Sequence, residues 1–465
     1  MNNKVHNCFI IPIVLLLAFL PNLTELRVDK RYENFLFTDK VHSIEIDIEE
    51  SNWNDILKSP IEEKYYPCDI IIDGKVFKNV GIKTKGNTSL ELVAKNDKTD
   101  RYSFKIKFDK YEKGQTCYGL DELSLNNVFA DSTYMKEYLA YDMFKKIGAV
   151  SPLCSFMNIS INNKNWGLYI GVENIDESFL IRNFGEDYGN LYKPESRELR
   201  YMAQNGEGVT VIKGEDLVYK DDNFDTYFTV FDTAKTDIED NDKVRLINSL
   251  KNLHNNNVEE CVDIENTLKY WVVNNFICNF DSYVSDFPHN YYLYEQSGKL
   301  TLLPWDYNLS FGSYPHTVNK DYTYDLDDAT NMVNISMLKP LNENQIGLRP
   351  MFEKVVENSY EDKYNEYINI FINDYFNSGY FEEKYNNTIT IIKPYIEKDN
   401  TAFYNLEDIE KGQKVLKEFI DLRVKAVKGQ LSGDIIDRNY STYIDATHIN
   451  MEDIGHQKGG YIPIK

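Results

Sequence analysis

The sequence predicts an α+β chain in which a β-rich N-terminal part is followed by a helical C-terminal part. Three features carry this expectation. Alternating apolar and polar residues recur between 40 and 175, apolar residues at helical spacing recur between 350 and 431, and a β-hairpin with polar ends lies between them at 290–306. A chain of 465 residues can bury a large core, and the length fits roughly two to four domains or one two-lobed enzyme.

The N-terminus and the composition set limits. Lys4 and His6 precede FIIPIVLLLAFLP, an apolar run short of the roughly twenty residues that span a bilayer. Residues 1–22 are therefore expected to be a secretory signal peptide or, if uncleaved, an N-terminal anchor, which would be the only membrane contact. Against 51 Lys and Arg stand 74 Asp and Glu, a formal charge of −23. An excess of this sign argues against nucleic acid and anionic lipid surfaces as main partners and favours a basic or metal-bridged one. Six cysteines, at 8, 68, 117, 154, 261 and 278, form no CxxC or Cys/His cluster, so buried free thiols are expected rather than a zinc site or disulfide framework.

KVHSIEIDIEE (40–50) and CDIIIDGKVFKNVGIKTKG (68–86) alternate in polarity, with Asp73-Gly74 as a hairpin turn. The polar loop Thr84–Ser89, containing Gly86, leads towards RYSFKIKFDKY, where Phe104, Ile106 and Phe108 share one face and Lys105 and Lys107 the other. A lysine on the open face of a strand after such a loop suits a phosphate contact. Taken alone, the pattern is what a solvated strand face gives. A helix is expected over 132–147, with Ser132 or Thr133 as N-cap, Glu137 inside it and Gly148 closing it. Strands SFMNISIN and WGLYIGVEN follow, joined at Asn162–Asn165, and the second runs through Glu173 into the helix DESFLIRNFG.

Residues 190–260 are polar and acidic, with a helical pattern at KVRLINSLKNLHN, and read as a variable excursion without chemistry. A largely apolar helix over 263–280 delivers Asp281. Beyond the hairpin come an acidic loop at 321–328, amphipathic helices at 350–379, 381–397 and 406–431, and a loose polar tail over 433–465.

The hairpin carries the chemistry. NYYLY and KLTLLPW are rich in aromatic, β-branched and leucine residues and are separated by the polar turn EQSG. Pairing them brings Asn290 and Asp306 together although sixteen positions separate them. Two oxygen ligands side by side suit a hard divalent cation such as Mg²⁺. Asp281 stands on the loop that enters the hairpin, nine positions before Asn290. The order of Gly/Ser/Thr loop, Lys strand, Glu helix, then Asp, Asn and Asp around a hairpin resembles that of a two-lobed kinase. No HRD, DFG or APE string is present, and the Asp-to-Asn spacing is nine positions.

The stretches VGIKTKGNTSL, DRYSFKIKFDKY, STYMKEYLAYDMF, NWGLYIGVEN, DSYVSDFPHNYYLY and LTLLPWDYNLSFG, with YIEKDNTAFY and QLSGDI, resemble the CotH family of secreted or spore-coat-associated proteins over roughly residues 40–432. The resemblance implies a divergent two-lobed protein-kinase-like fold, with a β-rich N-lobe at 40–175 and a helical C-lobe at 176–432. It implies an ATP- and Mg²⁺- or Mn²⁺-dependent protein kinase acting on Ser or Thr of a secreted or coat protein. Asp281 would be the catalytic-loop Asp, and Asn290 and Asp306 the metal ligands. Lys105 would contact the α/β-phosphates, with Lys107, Lys83 or Lys85 able to take the same part, and Glu137 would pair with that lysine. Glu173 would meet adenine at a hinge or cap the next helix. Trp305 would wall the nucleotide pocket or fill core, and Asp286 would add a third carboxylate or stay solvated. The same fold suits a catalytically silent assembly or adhesion protein, and a metal-dependent enzyme acting on a small molecule or glycan is a further alternative. Retention of Asp281, Asn290 and Asp306 favours activity.

Overall fold

The computed structural model describes residues 30–195, 214–316 and 328–456; the expected signal segment and residues 321–327 of the acidic loop lie outside the described residues. Seven strands close a barrel: β1 (Val41–Asp47), β2 (Tyr66–Ile72), β3 (Lys75–Lys85), β4 (Ser103–Lys107), β5 (Glu122–Asn126), β6 (Cys154–Ile161) and β7 (Lys164–Glu173). Their order is β1-β2-β3-β4-β5-β7-β6, and β6 returns to β1 in parallel. The period-two pattern buries Ile44, Ile46, Phe104 and Ile106 in the core and leaves the alternate positions outside. Asp73-Gly74 and Asn162-Asn163 take positive φ at both positions, the conformation in which a two-residue turn matches strand twist. Closure removes the free sheet edge that an open seven-stranded sheet would expose.

The helices that matter are α1 (Glu50–Lys58), α2 (Thr88–Ala94), α3 (Lys136–Ile147), α4 (Glu177–Phe184), α5 (Asp240–His254), α6 (Ile264–Phe276), α7 (Glu361–Phe371), α8 (Tyr380–Ile396) and α9 (Leu406–Ser432). α3 starts later than its sequence pattern suggests. Asp131 accepts hydrogen bonds from the backbone N–H groups of Thr133 (2.9 Å) and Lys136 (3.0 Å), so it serves the open helix start in place of Ser132 or Thr133. Gly148, with φ 76°, closes α3 as expected. α6 is buried from Tyr270 to Phe276 and leaves Glu265 exposed in its first turn, as a helix whose later turns pack among α3, α7 and β10 must.

A second sheet holds β8 (Asn190–Tyr192), β9 (Tyr291–Gln296) and β10 (Lys299–Pro304) in the order β10-β9-β8. The β9–β10 register runs from Tyr291 opposite Pro304 to Gln296 opposite Lys299, around the positive-φ turn Ser297-Gly298. The expected hairpin is therefore present, and its open end presents Asn290 and Asp306. Residues 190–260 are more than an excursion: β8 pairs with β9, and Arg245 of α5 donates to the buried Glu295 at 2.8 and 2.7 Å. Polar composition hid a stretch whose polar groups are used to brace the hairpin.

The barrel is bolted to the helical part by Arg101, which is fully buried and donates to both oxygens of Asp399 at 3.0 and 2.9 Å between α8 and α9. The described part of the tail is not loose. Ile435, Ala446, Ile449, Met451 and Ile454 are buried, which fixes a segment whose composition reads as polar.

Candidate functional site

β3 and β4 run antiparallel with Lys83 opposite Lys105 and Lys85 opposite Ser103. Side-chain alternation then places Lys83, Lys85, Lys105 and Lys107 along one cavity of about 1370 Å³, which Glu137 of α3 and the open end of the hairpin also line. Within this row Lys85 is the lysine that α3 reaches. Its ammonium donates to Asn126 Oδ1 at 2.6 Å, and Asn126 Nδ2 donates in turn to Glu137 Oε2 at 2.8 Å. Lys105 instead pairs with Glu122 at 2.9 Å, a carboxylate it shares with Lys107 at 3.2 Å. The expected Lys105–Glu137 pair is thus replaced by a Lys85–Asn126–Glu137 chain. Register explains it: Lys107 is directly opposite Glu122, whereas Lys85 is the last residue of β3 and opens towards α3.

Charge is concentrated at this end of the cavity. Glu137 is 1% exposed, and its Oε1 has no hydrogen-bond partner. Burial, with Asp306 beside it, pushes the Glu137 carboxyl up to about 7. Burial likewise raises Asp306, against the pull of Lys85, and burial lowers the Lys85 ammonium, against Asp306 and Glu137. Once Glu137 is ionised, it and Asp306 share the Lys85 ammonium in a partly dry site, with Lys193 and His289 also acting on Asp306, and the Glu137 charge is the least compensated. That charge and the open Glu137 oxygen suit a cation.

The hairpin ends are strained. Asn290 and Asp306 both adopt left-handed backbone, at φ 53° and 63°, a conformation Asn and Asp tolerate better than most residues. The Asp306 N–H donates to the Tyr141 hydroxyl of α3 at 3.2 Å. Asn290 Nδ2 donates to Asp281 Oδ2 at 3.0 Å, so the nine-residue loop closes on itself and sets Asp281 beside the hairpin. The loop is pinned from below by Tyr283, whose hydroxyl donates to the Asp216 carbonyl at 2.8 Å, and by the Arg349 guanidinium on the Ser285 carbonyl. Asp286, half-buried, accepts from Asn342 at 3.2 Å and Gln345 at 3.0 Å, so it anchors the loop and does not line the cavity.

His289, which the sequence reading passed over, sits 2.6 Å from Asp281 Oδ1. Burial works to lower its pKa, but the Asp281 carboxylate outweighs burial and raises it to about 9, so the ring is cationic at neutral pH. The only sequence signal for it is its place next to Asn290. Asn126 was also passed over, being a polar residue at the end of an ordinary alternating strand.

Glu173 does not meet the cavity. It is fully buried and accepts from Tyr32 (2.7 Å), Arg182 Nε (2.9 Å) and the Leu153 N–H (2.9 Å). Its expected nucleotide role is corrected to a structural ion pair, and Asp176 caps α4. The cavity wall at this point is Asn174, Ile175 and Asp176. Trp305 packs edge-on against Tyr292 at 5.6 Å and also lines the cavity.

Among the described residues no group of three His, Cys, Asp or Glu side chains could hold a metal by itself. Asn290 and Asp306, with the open oxygen of Glu137 nearby, instead fit a hard ion that brings oxygens of its own, as Mg²⁺ does with phosphates.

A family model described as "CotH kinase protein" matches residues 82–427. The chain is 24% identical over 321 residues to "Inner spore coat protein H" of Bacillus subtilis (strain 168), covering 68% of this chain and 80% of that protein. An "Inner spore coat protein H-like protein" of the same organism is 29% identical over 91 residues, 20% of this chain and 28% of the relative.

Proposed function

The chain belongs to the CotH family, and on that premise we propose that it is an ATP- and Mg²⁺- or Mn²⁺-dependent protein kinase that phosphorylates Ser or Thr of a secreted or coat protein. The observation that carries this reading is the convergence of Lys85, Glu137, Asp281, Asn290 and Asp306 on one cavity. In this reading the barrel is the N-lobe of a two-lobed kinase-like fold, and the hairpin with the later helices is the C-lobe.

Phosphoryl transfer needs charge neutralisation and alignment more than covalent help from the protein. Lys85, held by Asn126, meets the phosphates, and Glu137 orients it from α3. Asn290 and Asp306 hold the divalent cation, which supplies the positive charge that offsets the phosphate oxygens. The acceptor hydroxyl oxygen bonds to the γ-phosphorus as the bond to the β–γ bridging oxygen breaks and ADP leaves, and the hydroxyl proton passes to Asp281. His289 and Asn290 each occupy one oxygen of Asp281 and leave lone pairs for that hydroxyl. Held between His289 and Asn290, Asp281 orients the hydroxyl before it takes the proton.

Coat association is supported by the similarity to the inner spore coat protein H of Bacillus subtilis (strain 168). Among the described residues no helix is long and apolar enough to cross a membrane. The test is purified protein with γ-labelled ATP and Mg²⁺ or Mn²⁺, wild type beside Asp281→Asn and Asp306→Ala. Label is expected on wild type or on a basic Ser-rich acceptor and lost in both variants. No label, together with no nucleotide-dependent rise in melting temperature, overturns the kinase reading in favour of a silent assembly protein. Label that survives Asp306→Ala overturns the metal assignment.

A further inference from the structure

Residues 450–456 lie past the family-matched stretch, which ends at 427. They nevertheless reach the elements that carry the site. Lys136, the first residue of α3 and the neighbour of Glu137, is fully buried. Its ammonium donates to the Ala130 carbonyl (2.8 Å), Ser313 Oγ (2.8 Å) and the Gly455 carbonyl (3.0 Å). One buried cation thus ties together the loop before α3, the loop after Asp306 and the C-terminal segment. A buried ammonium needs all its donors met, so the three elements hold one another in place.

Other contacts repeat the same connection. Ser132 Oγ donates to the Asp453 carbonyl at 2.6 Å, and Lys411 of α9 pairs with the Asp453 carboxylate at 2.9 Å. The segment lies close against its seat. A Cβ on Gly455, at φ 80°, would stand 2.7 Å from the Ala130 carbonyl oxygen and 2.8 Å from the Ser132 nitrogen. On the Asp306 side, a Cβ on Gly312 would stand 3.0 Å from Met451 Cε.

Resting on the kinase reading above, we propose that residues 450–456 are a positioning clamp for the site: through Lys136 they fix α3, and so Glu137, against Lys85 and Asp306. The clamp touches neither nucleotide nor acceptor. It acts by holding the first turn of α3 and the 310–313 loop at one mutual distance. Sub-ångström displacement of aligning groups is costly in phosphoryl transfer, where alignment is most of the catalysis.

The test uses the full-length protein as Gly455→Val and Lys136→Met beside wild type, with two readouts. In labelled-ATP kinetics, Gly455→Val is expected to lower kcat by on the order of tenfold while KM for ATP changes by less than about threefold, since the misplaced groups act in the transition state. In amide hydrogen exchange, residues 131–137 and 310–314 are expected to lose protection while α6 keeps it. Unchanged exchange at both loops, or unchanged kcat despite faster exchange, overturns the clamp. Loss of α6 protection and a global drop in melting temperature in Gly455→Val also overturn it, because the segment then supports the fold as a whole. If Lys136→Met does not fold, Gly455→Val decides alone. If wild type transfers no label, the proposed function fails and exchange alone decides whether the two loops depend on the segment.

Discussion

Replacing Glu137 by Gln is expected to make the protein more stable and inactive at the same time. The carboxyl is buried, and burial beside Asp306 raises it from 4.5 to about 7. At ~1.36 kcal/mol for each tenfold change in proton affinity, that corresponds to a cost on the order of a few kcal/mol carried by the folded state once the group is ionised in both states. An acid whose folded pKa is raised costs nothing below its unfolded value and its full amount above its folded value. The cost therefore grows as pH rises from 4.5 through about 7. Gln keeps an oxygen for the Asn126 hydrogen bond (2.8 Å to Oε2 in the native chain), and its amide puts a donor where Oε1 lacks a partner. Lys85 loses one carboxylate neighbour, so the net gain is smaller, about 1–3 kcal/mol at pH 8. The assay is thermal unfolding in chelator at pH 8 and at about pH 5.5, which stays above the isoelectric point near 4.8. The Gln variant should melt higher at pH 8, with the difference shrinking to less than half at the lower pH. Adding Mg²⁺ at pH 8 should also narrow it, because the ion offsets the carboxylate charge in wild type. A Gln variant that melts level with or below wild type at pH 8, or gains equally at both pH values, refutes the charge argument.

Lys85→Met is expected to lower phosphoryl transfer on the order of a hundredfold, and Lys105→Met by less than about fivefold, because Lys105 is already neutralised by Glu122; equal losses in initial rates at saturating ATP would show that the two lysines share the phosphate role. His289, raised from 6.5 to about 9 by Asp281, contributes stability that is complete below 6.5 and lost as pH rises through about 9. His289→Gln should therefore depress the melting temperature at pH 6.5 and have little effect at about pH 9.5, and a depression of the same size at both would remove the ion pair as its cause.

The parts of this site that were legible in the sequence are those set by local geometry. A hairpin with a two-residue turn has one register, so Asn290 and Asp306 could be brought together from the pattern of NYYLY and KLTLLPW alone. The parity of β4 put Lys105 and Lys107 on the open face, and that was right as far as it went. Parity cannot choose among lysines on one face, however. Lys83, Lys85, Lys105 and Lys107 all satisfy it, and the choice of Lys85 depends on where α3 crosses the end of β3. Glu173 was misread for a related reason. A Glu at a strand end has the same local signature whether it faces a ligand or, as here, Arg182 nine residues later on α4. Asn126 carries no pattern at all, since it works as the middle member of a chain whose ends come from β3 and α3, and His289 is marked only by its place next to Asn290.

The same division explains where the fold breaks local rules. Left-handed backbone at Asn290 and Asp306 and an unpartnered buried oxygen on Glu137 are each unfavourable alone, and they fall within one cavity. They persist because distant groups over-determine their surroundings. Arg423 of α9, a fully buried guanidinium, donates to the carbonyls of Phe276 (3.1 Å) and Asn275 (2.9 Å) at the end of α6. The departure point of the Asp281 loop is therefore held by a residue 147 positions beyond Phe276. Arg349 does the same for Ser285, and Lys136 for the loop after Asp306. In each case a buried cation is matched by backbone carbonyls or a hydroxyl from other elements, and among the described residues no arginine lines the cavity with Asp281, Asp306 and Glu137. The site keeps its excess negative charge because these cations are committed elsewhere, and a site with that excess is one a divalent cation can enter.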